Sequence, residues 1–594
     1  MQMSADLGLD AAPPQRFPAA SLKQIQAVLC APGARFEMET VDVGGVATRT
    51  WKNQPPSLAA LARFARATHG DRLFVVHEDE RVSYEAWFRA TAALAAEMAR
   101  LGVGRGDRVA LAMRNLPEWP VAFFAATSLG AIVTPLNAWW SAGELTYGLS
   151  HSGARLLVCD AARWARVAPH PGELPALEAV LVSRAETDLA APARALEAVI
   201  GRPDEYAALP DADLPALELA PDDDATLFYT SGTTGLPKGA VGTHRNILTC
   251  VLSAAYVAER GAMRRGETPP APAPKVMLLV IPLFHVTACH AALMGTLAAG
   301  NTLVFMPKWD VGRALRLIET ERVNIAGGVP TIAWQLLEHP ARGDFDLSSL
   351  ETIAYGGAPA APELARRLHT DLGVLPGNGW GMTETSATVT NHVGEDYLAR
   401  PDSCGPPLPV ADLKIMTEDG ARALATGQVG ELWARGPQVV RGYWRDPAAT
   451  AQTFVDGWVR TGDLARLDEE GFCYIVDRAK DVIIRGGENI YATEVENLLY
   501  AHPAVTDAAV VGIAHPTLGE EPAAVVHLAP GAHASEAELQ AWVRERLAAF
   551  KTPVRVLFSN ATLPRNANGK ILKKDLRALF APPAPSPQIR VDAV

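Results

Sequence analysis

Apolar and polar residues fall in regular blocks along this chain. Ala86 to Leu101 is rich in alanine and leucine and reads as a helix. Asp107 to Met113 is apolar enough to read as a buried strand. Glu118 to Leu129 reads as a second helix, and Ala131 to Pro135 as a second strand. The alternation resumes with strand-like runs at Lys275 to Ile281, Thr302 to Met306 and Leu350 to Tyr355. Apolar strands alternating with helices predict an α/β architecture with parallel sheet. From Leu413 the pattern changes to shorter strands between turns, as in Gly430 to Arg435 and Gly471 to Val476. The polar, glycine-bearing segment that starts at Asp477 separates this region from a compact final stretch, so a domain boundary is expected there.

The length of 594 residues is too great for one ordinary core and calls for at least two domains. The first sixty or so residues carry no catalytic signature and read as an extension that packs on the main body. Arg264 to Pro274 reads as an exposed proline-rich insertion, and Ala581 onward as a disordered tail. No run of about 18 uncharged apolar residues is present, so no transmembrane segment is expected. The first residues lack the basic and apolar regions of a signal peptide. The six cysteines show no metal-ligand spacing and suit reduced thiols in a cytoplasmic protein. A formal charge of −12 disfavours a general nucleic-acid binder, but it leaves open an anionic nucleotide as ligand.

The stretch Tyr229-Thr-Ser-Gly-Thr-Thr-Gly-Leu-Pro-Lys-Gly239 has the chemistry of a phosphate cradle. Its glycines allow close backbone approach. Its hydroxyls donate hydrogen bonds, and Lys238 supplies a mobile positive charge. It follows a strand-like run, Ala225 to Tyr229, and precedes a helix start at Arg245. It is not a Walker A loop, because Lys238 follows Pro237 and precedes Gly239. Taken alone, the loop could equally be a plain turn.

Further motifs follow in order: Pro282-Leu-Phe-His285, Tyr355-Gly-Gly-Ala-Pro359, Asn378-Gly-Trp-Gly-Met-Thr-Glu384, Thr461-Gly-Asp463, Asp477-Arg-Ala-Lys480 running on to Asn489, and Pro564-Arg-Asn-Ala-Asn-Gly-Lys570. This ordered set resembles the adenylate-forming superfamily of acyl-CoA synthetases, peptide-synthetase adenylation domains and luciferases, over roughly Arg81 to Leu576. Within it the chain is most similar to bacterial fatty-acid or aryl acyl-CoA ligases. The resemblance implies a large N-terminal domain, residues 61–477, of layered α/β subdomains with a small β-barrel-like subdomain. A small mobile α+β domain, residues 478–580, would follow it. It also implies an ATP-dependent ligase: an acid and ATP give an acyl-adenylate and pyrophosphate, then CoA takes the acyl group and AMP leaves. Two anions must be brought together, so positive charge and donors have to offset their repulsion.

Residue by residue, the resemblance implies that Thr230, Ser231, Gly232, Thr233, Thr234, Gly235 and Lys238 hold the β- and γ-phosphates. Thr383 would touch the α-phosphate, and Glu384 would ligate Mg2+. Gly356, Gly357, Ala358 and Pro359 would wall the adenine pocket, with Asn378, Gly379, Gly381 and Met382 also at the nucleotide. Trp380 would stack on the base, where tyrosine is common in relatives; core packing is the alternative. Asp463 and Arg478 would bind the ribose hydroxyls. The small domain would turn about Lys480. Lys570 would bridge the carboxylate and the α-phosphate during adenylation. Gly486 and Gly487 would line the pantetheine tunnel.

His285 with Val286 and Val329 would line the acid site. Phe284-His285 stands where amino-acid-activating relatives carry an aspartate for the substrate ammonium. The neighbouring Thr287, Ala288, Ala292, Ile332 and Trp334 are mostly apolar, and Asn137 to Trp140 could frame a wall or pack in the core. A medium- or long-chain fatty acid is therefore expected, with an aryl or aryl-alkenyl acid as the alternative. The partners are the acid, ATP and CoA. An acyl carrier protein in trans, a homodimer and a catalytically inactive nucleotide-binding homologue are the open alternatives.

Overall fold

A computed structural model describes residues 17–230, 236–269, 271, 273–357, 360–529, 531–566 and 569–580. Ser231 to Gly235, Ala358, Pro359 and the expected tail 581–594 lie outside these residues. The chain divides into two compact units. The larger holds the described residues up to 357 with Pro362–Thr461 and Arg466–Tyr474; the smaller holds 360–361, Gly462–Ala465 and the chain from Ile475.

Two large sheets organise the first unit. A seven-stranded sheet runs in the order Gly239–Thr243, Asp224–Tyr229, Ile132–Pro135, Arg108–Ala112, Leu156–Asp160, Ala179–Ser183, Ala193–Ala195. Only its first pair is antiparallel. An eight-stranded sheet is parallel from Leu375–Trp380 through Thr352–Gly356, Ile325–Gly328, Val276–Leu279 and Thr302–Phe305 to Leu73–His77. Antiparallel edge strands, Thr390–Val393 and Glu80–Ser83, close its two sides. Parallel strands need apolar residues on both faces, which is why they appear in the sequence as continuous apolar runs. Every residue of the helix Glu118–Ser128 is buried, so it has no polar face to show.

The N-terminal extension is folded. Its helix Leu22–Leu29 starts with a Ser21/Gln24 capping box, and Met38–Val43 pairs with Val46–Trp51 as a hairpin. Ile25, Leu29, Phe36 and Trp51 pack with Leu252, Tyr256 and Val410, and the Trp51 indole N–H donates to Ser253 Oγ at 3.1 Å. Residues of this cluster also belong to a small five-stranded sheet, in which Asp412–Met416 pairs antiparallel with Gly430–Arg435, Phe454–Val455 pairs antiparallel with Trp458–Leu467, and Cys473–Arg478 is the fifth strand.

One expectation needs correcting. Arg264 does not open an exposed insertion: it ends the helix His244–Arg264, is 1% exposed, and pairs with Asp396 at 2.7 Å. A guanidinium can be buried only with such a partner, and no pattern local to Arg264 reveals one more than a hundred residues away. Exposure begins at Glu267.

The second unit carries the strands Ile483–Arg485, Glu488–Ile490, Gly519–Leu528, Val505–His515 and Arg555–Ser559 in one sheet, with helices Ala492–Tyr500, Glu536–Arg544 and Lys573–Ala578. Its core includes Ile483, Val495, Leu499, Val510, Val526 and Leu539. No helix among the described residues is long and apolar enough to cross a membrane.

Candidate active site

The flanks of the glycine-rich loop are held by an antiparallel pair, Asp224–Tyr229 and Gly239–Thr243. Thr230 N–H donates to the Lys238 carbonyl at 2.8 Å, and Lys238 N–H to Thr230 Oγ1 at 3.3 Å, so the loop is closed at its neck. The next helix is capped by Thr243 and Asn246. The Lys238 ammonium lies 5.0 Å from the ring centroid of Tyr443, a cation–π contact. The Tyr443 hydroxyl donates to Glu384 Oε1 at 2.7 Å. Burial, with the Glu384 charge beside it, pushes the Tyr443 phenol well above its usual range, so it remains a donor. Tyr443 thus connects two motifs that are far apart in sequence, and the sequence analysis did not single it out. The available signal was Gly442-Tyr-Trp444, where Gly442 packs against Thr450 with no room for a Cβ.

Glu384 is 7% exposed and sits on a short turn, Thr383–Thr385. That turn follows the strand Leu375–Trp380, whose neighbour Thr352–Gly356 pairs in register Tyr355 with Asn378 and Gly356 with Gly379. Two sequence motifs therefore meet at the carboxyl ends of adjacent parallel strands, where open α/β sheets bind ligands. A Cβ on Gly381 would lie 1.3 Å from the Ala387 carbonyl, so only glycine fits. Ser386 and Ala387 hold φ of 47° and 88°, a strained conformation for residues with a Cβ. Both residues directly follow the turn that presents Thr383 and Glu384. Met382 N–H donates to Thr385 Oγ1 at 2.9 Å, and Asn378 Nδ2 to the Ser403 carbonyl at 3.3 Å. Trp380 is half-buried against the cluster beneath the extension. A carboxylate beside threonine hydroxyls is a hard-oxygen donor set, and that chemistry fits Mg2+.

His285 closes a tight turn, its N–H donating to the Pro282 carbonyl at 3.0 Å, with its ring 4.6 Å from Phe284. A π-helical stretch, Thr287–Leu293, follows directly; such widened turns are frequent at functional sites, and the apolar pattern gave no sign of it. Val286 and Ala288 are buried in the main core, whereas Thr287 is exposed. Val329 is half-buried and precedes the helix Pro330–Glu338. Next to it, Gly328 lies against Ile332, Val280 and Ile281. Trp139 is 48% exposed and edge-on to Phe284 at 6.5 Å, while Trp140 packs on Tyr229.

The remaining candidates lie in the second unit. Arg478 Nε stands 3.6 Å from Asp463 Oδ1. Burial, helped by the Arg478 charge, lowers the pKa of the Lys480 ammonium. Gly486 and Gly487, with φ of 59° and 91°, form the two-residue turn of the hairpin Ile483–Arg485/Glu488–Ile490. The Lys570 loop is closed by Lys570 N–H to Asn566 Oδ1 at 3.0 Å and Asn566 N–H to the Lys570 carbonyl at 2.9 Å. Arg565 anchors that loop, reaching the Gly569 carbonyl at 2.8 Å and buried Asp507 at 2.6 Å.

The chain belongs to the AMP-binding enzyme family, which it matches over residues 61–444, with the C-terminal domain of the same enzymes matched over 494–570. It is an AMP-forming acid–thiol ligase, an enzyme class that works with ATP and CoA. It is 36% identical over 510 residues to a feruloyl-CoA synthase of Amycolatopsis sp, covering 85% of this chain and 95% of the relative. It is 33% identical to a long-chain-fatty-acid–CoA ligase of Mycobacterium tuberculosis, covering 88% and 98%. Its fold is similar to that of the o-succinylbenzoate CoA synthetase of Bacillus subtilis solved with its acyl-adenylate, with TM-score 0.72 and 29% identity over 88% of this chain and 98% of that one. The match begins at residue 61, so the folded extension lies outside it.

Proposed function

We propose that this enzyme adenylates an apolar carboxylic acid and transfers the acyl group to CoA, with a medium- or long-chain fatty acid as substrate. The observation that carries the reading of the acid site is the half-buried apolar surface of Val280, Ile281 and Ile332 around buried Gly328, together with the Phe284-His285 turn, which offers an ammonium group no carboxylate. An aryl-alkenyl acid is the second reading. It is favoured by the Trp139–Phe284 edge contact, which suits a flat ring, and by the similarity to a feruloyl-CoA synthase.

In this reading Lys238 and the loop from Thr230 to Gly235 take the β- and γ-phosphates, and Thr383 the α-phosphate. Glu384, oriented by Tyr443, would hold Mg2+, which supplies charge neutralisation at the phosphates when bound. The strand ends around Gly357 and Asn378 receive the adenine with Trp380, and Asp463 with Arg478 the ribose. Lys570 offsets the charge that develops between carboxylate and α-phosphate. The small domain turns about Lys480 between half-reactions and brings Gly486-Gly487 to the thiol arm.

ATP–pyrophosphate exchange across straight-chain, aryl and amino acids tests the proposal, followed by CoA added to each acid that exchanges. Fatty-acid exchange with thioester and AMP formation supports the first reading; exchange confined to cinnamate-like acids selects the second. Exchange without CoA-dependent turnover points to a carrier-protein acceptor in trans, and absence of exchange with every acid overturns the reading.

A further inference from the structure

The N-terminal extension, which precedes the family match, reaches the strand that ends in Trp380 by way of one helix. Phe36 and Trp51 place their rings 5.6 and 5.8 Å from that of Tyr256, which is 2% exposed on the helix His244–Arg264. Ala19 N–H donates to the Arg264 carbonyl at 2.8 Å, and Arg264 Nη1 donates to the Ala20 carbonyl at 2.9 Å. Arg35 pairs with Glu259 at 2.8 Å. One turn beyond Tyr256 stands Arg260, also 2% exposed, with its guanidinium 5.9 Å from the Tyr256 ring centroid. Arg260 Nη2 donates to the Asn391 carbonyl at 2.5 Å, and its Nε has no partner among the described residues. Asn391 lies on the edge strand Thr390–Val393, opposite Gly379, with Thr390 opposite Trp380. On the open side of that strand Asn391 N–H donates to the Pro406 carbonyl at 3.4 Å, so Arg260 supplies the donor that the adjacent carbonyl needs. The two strands meet closely: a Cβ on Gly379 would lie 2.8 Å from the Thr390 carbonyl oxygen. Trp380 also packs against the apolar cluster that contains Ile25, Phe36 and Trp51.

We propose that Arg260 is a positioning residue for the nucleotide: backed by the N-terminal extension through Tyr256, it holds Asn391 and so fixes the strand Leu375–Trp380 that presents Trp380 to the base. The inference rests on the reading of Trp380 given above. A buried guanidinium is costly unless its donors are used, so Arg260 is at home only with the Asn391 carbonyl in reach. The extension secures the other side of the helix, because any shift of Tyr256 separates it from two buried rings. Arg260 acts through Asn391, and the part of the ligand it serves is the base rather than the phosphates.

The test is ATP–pyrophosphate exchange by the full chain, with the acid of the panel above that exchanges fastest. KM is measured for ATP and for pyrophosphate, which carries no base, in Arg260→Met, Arg260→Lys, Trp51→Leu, the Trp51→Leu/Arg260→Met double variant and Trp380→Ala. Melting temperatures are recorded for each. Arg260→Met should raise the KM for ATP about tenfold or more, the order of one charge-assisted hydrogen bond, with the KM for pyrophosphate within about twofold. Arg260→Lys should restore most of the loss. Trp51→Leu should raise the KM for ATP by about two- to tenfold, the order of an aromatic pair. The double variant should be no worse than Arg260→Met, because the two changes break one chain of contacts. An unchanged KM for ATP in Arg260→Met, or an equal rise in both KM values, overturns the proposal. So does a lysine variant no better than methionine, or a double variant whose losses multiply in full. If Arg260→Met does not fold, Trp51→Leu decides by the same split between the two KM values. Trp380→Ala separates the two failures: an unaltered KM for ATP there overturns the reading of Trp380. A raised KM there beside an unaltered one in Arg260→Met overturns only the role of Arg260.

Discussion

Replacing Tyr443 with phenylalanine removes one hydroxyl and leaves the ring beneath Lys238 in place. The lost contact is a 2.7 Å hydrogen bond to a carboxylate that is 7% exposed. Hydrogen bonds to charged groups contribute about 1.5–3 kcal/mol. With roughly 1.4 kcal/mol per decade of rate, that is about 10- to 150-fold. If Glu384 is a Mg2+ ligand, the loss should appear in the adenylation half-reaction, as lower kcat/KM for Mg-ATP and a higher Mg2+ requirement in pyrophosphate exchange. Thioester formation from a preformed acyl-adenylate and CoA involves neither pyrophosphate nor that metal, so it should proceed near the parent rate. The melting temperature should hardly move, because the ring packing is kept. Equal losses in both half-reactions, or exchange unaltered at limiting Mg2+, would refute the reasoning. Tyr443→Leu should do more damage than the phenylalanine variant, by the additional loss of the face on which Lys238 rests.

Lys570→Ala is expected to slow adenylation by at least ~100-fold through loss of a charge-stabilising donor, with thioesterification from preformed adenylate largely spared, as single-turnover assays of each step would show. Asp396→Ala strands the buried Arg264 guanidinium and should cost about 3–5 kcal/mol in denaturant unfolding, while an Arg264→Met, Asp396→Leu double variant should recover much of it. For Asp477, the folded pKa of about 6 lies above the ordinary value of 3.8. Its stabilising contribution is therefore complete below that ordinary value and is lost as pH rises through about 6. Unfolding curves should show the parent losing stability relative to Asp477→Asn across that interval.

Local chemistry was legible in the sequence wherever a single segment carries its own constraint. The strand Thr302–Phe305 and the helix Glu118–Ser128 were visible because apolar runs and blocks are imposed by the faces each element must bury. The motif glycines were visible because backbone conformation is a property of the residue itself. Gly381 tolerates no Cβ, and Gly486-Gly487 makes a hairpin turn that other residues resist. Lys238, Glu384, Asp463, Arg478 and Lys570 could be singled out because their motifs occur in order.

Tertiary structure alone decided which of these side chains share a charge or a hydrogen bond. Tyr443 reaches Glu384 across 59 positions, and Arg264 finds Asp396 across 132. Lys573 finds Glu496 only when its helix folds back onto the sheet of the small unit. The extension was expected to pack on the main body, but its partners, Leu252, Tyr256 and Val410, could not be named because they belong to distant elements. Hydrophobic burial is non-directional and repeats with the local element, so it leaves a period in the sequence. A buried charge or a hydroxyl donor leaves no period. It is stable only opposite one particular partner, and the fold brings that partner within 3 Å.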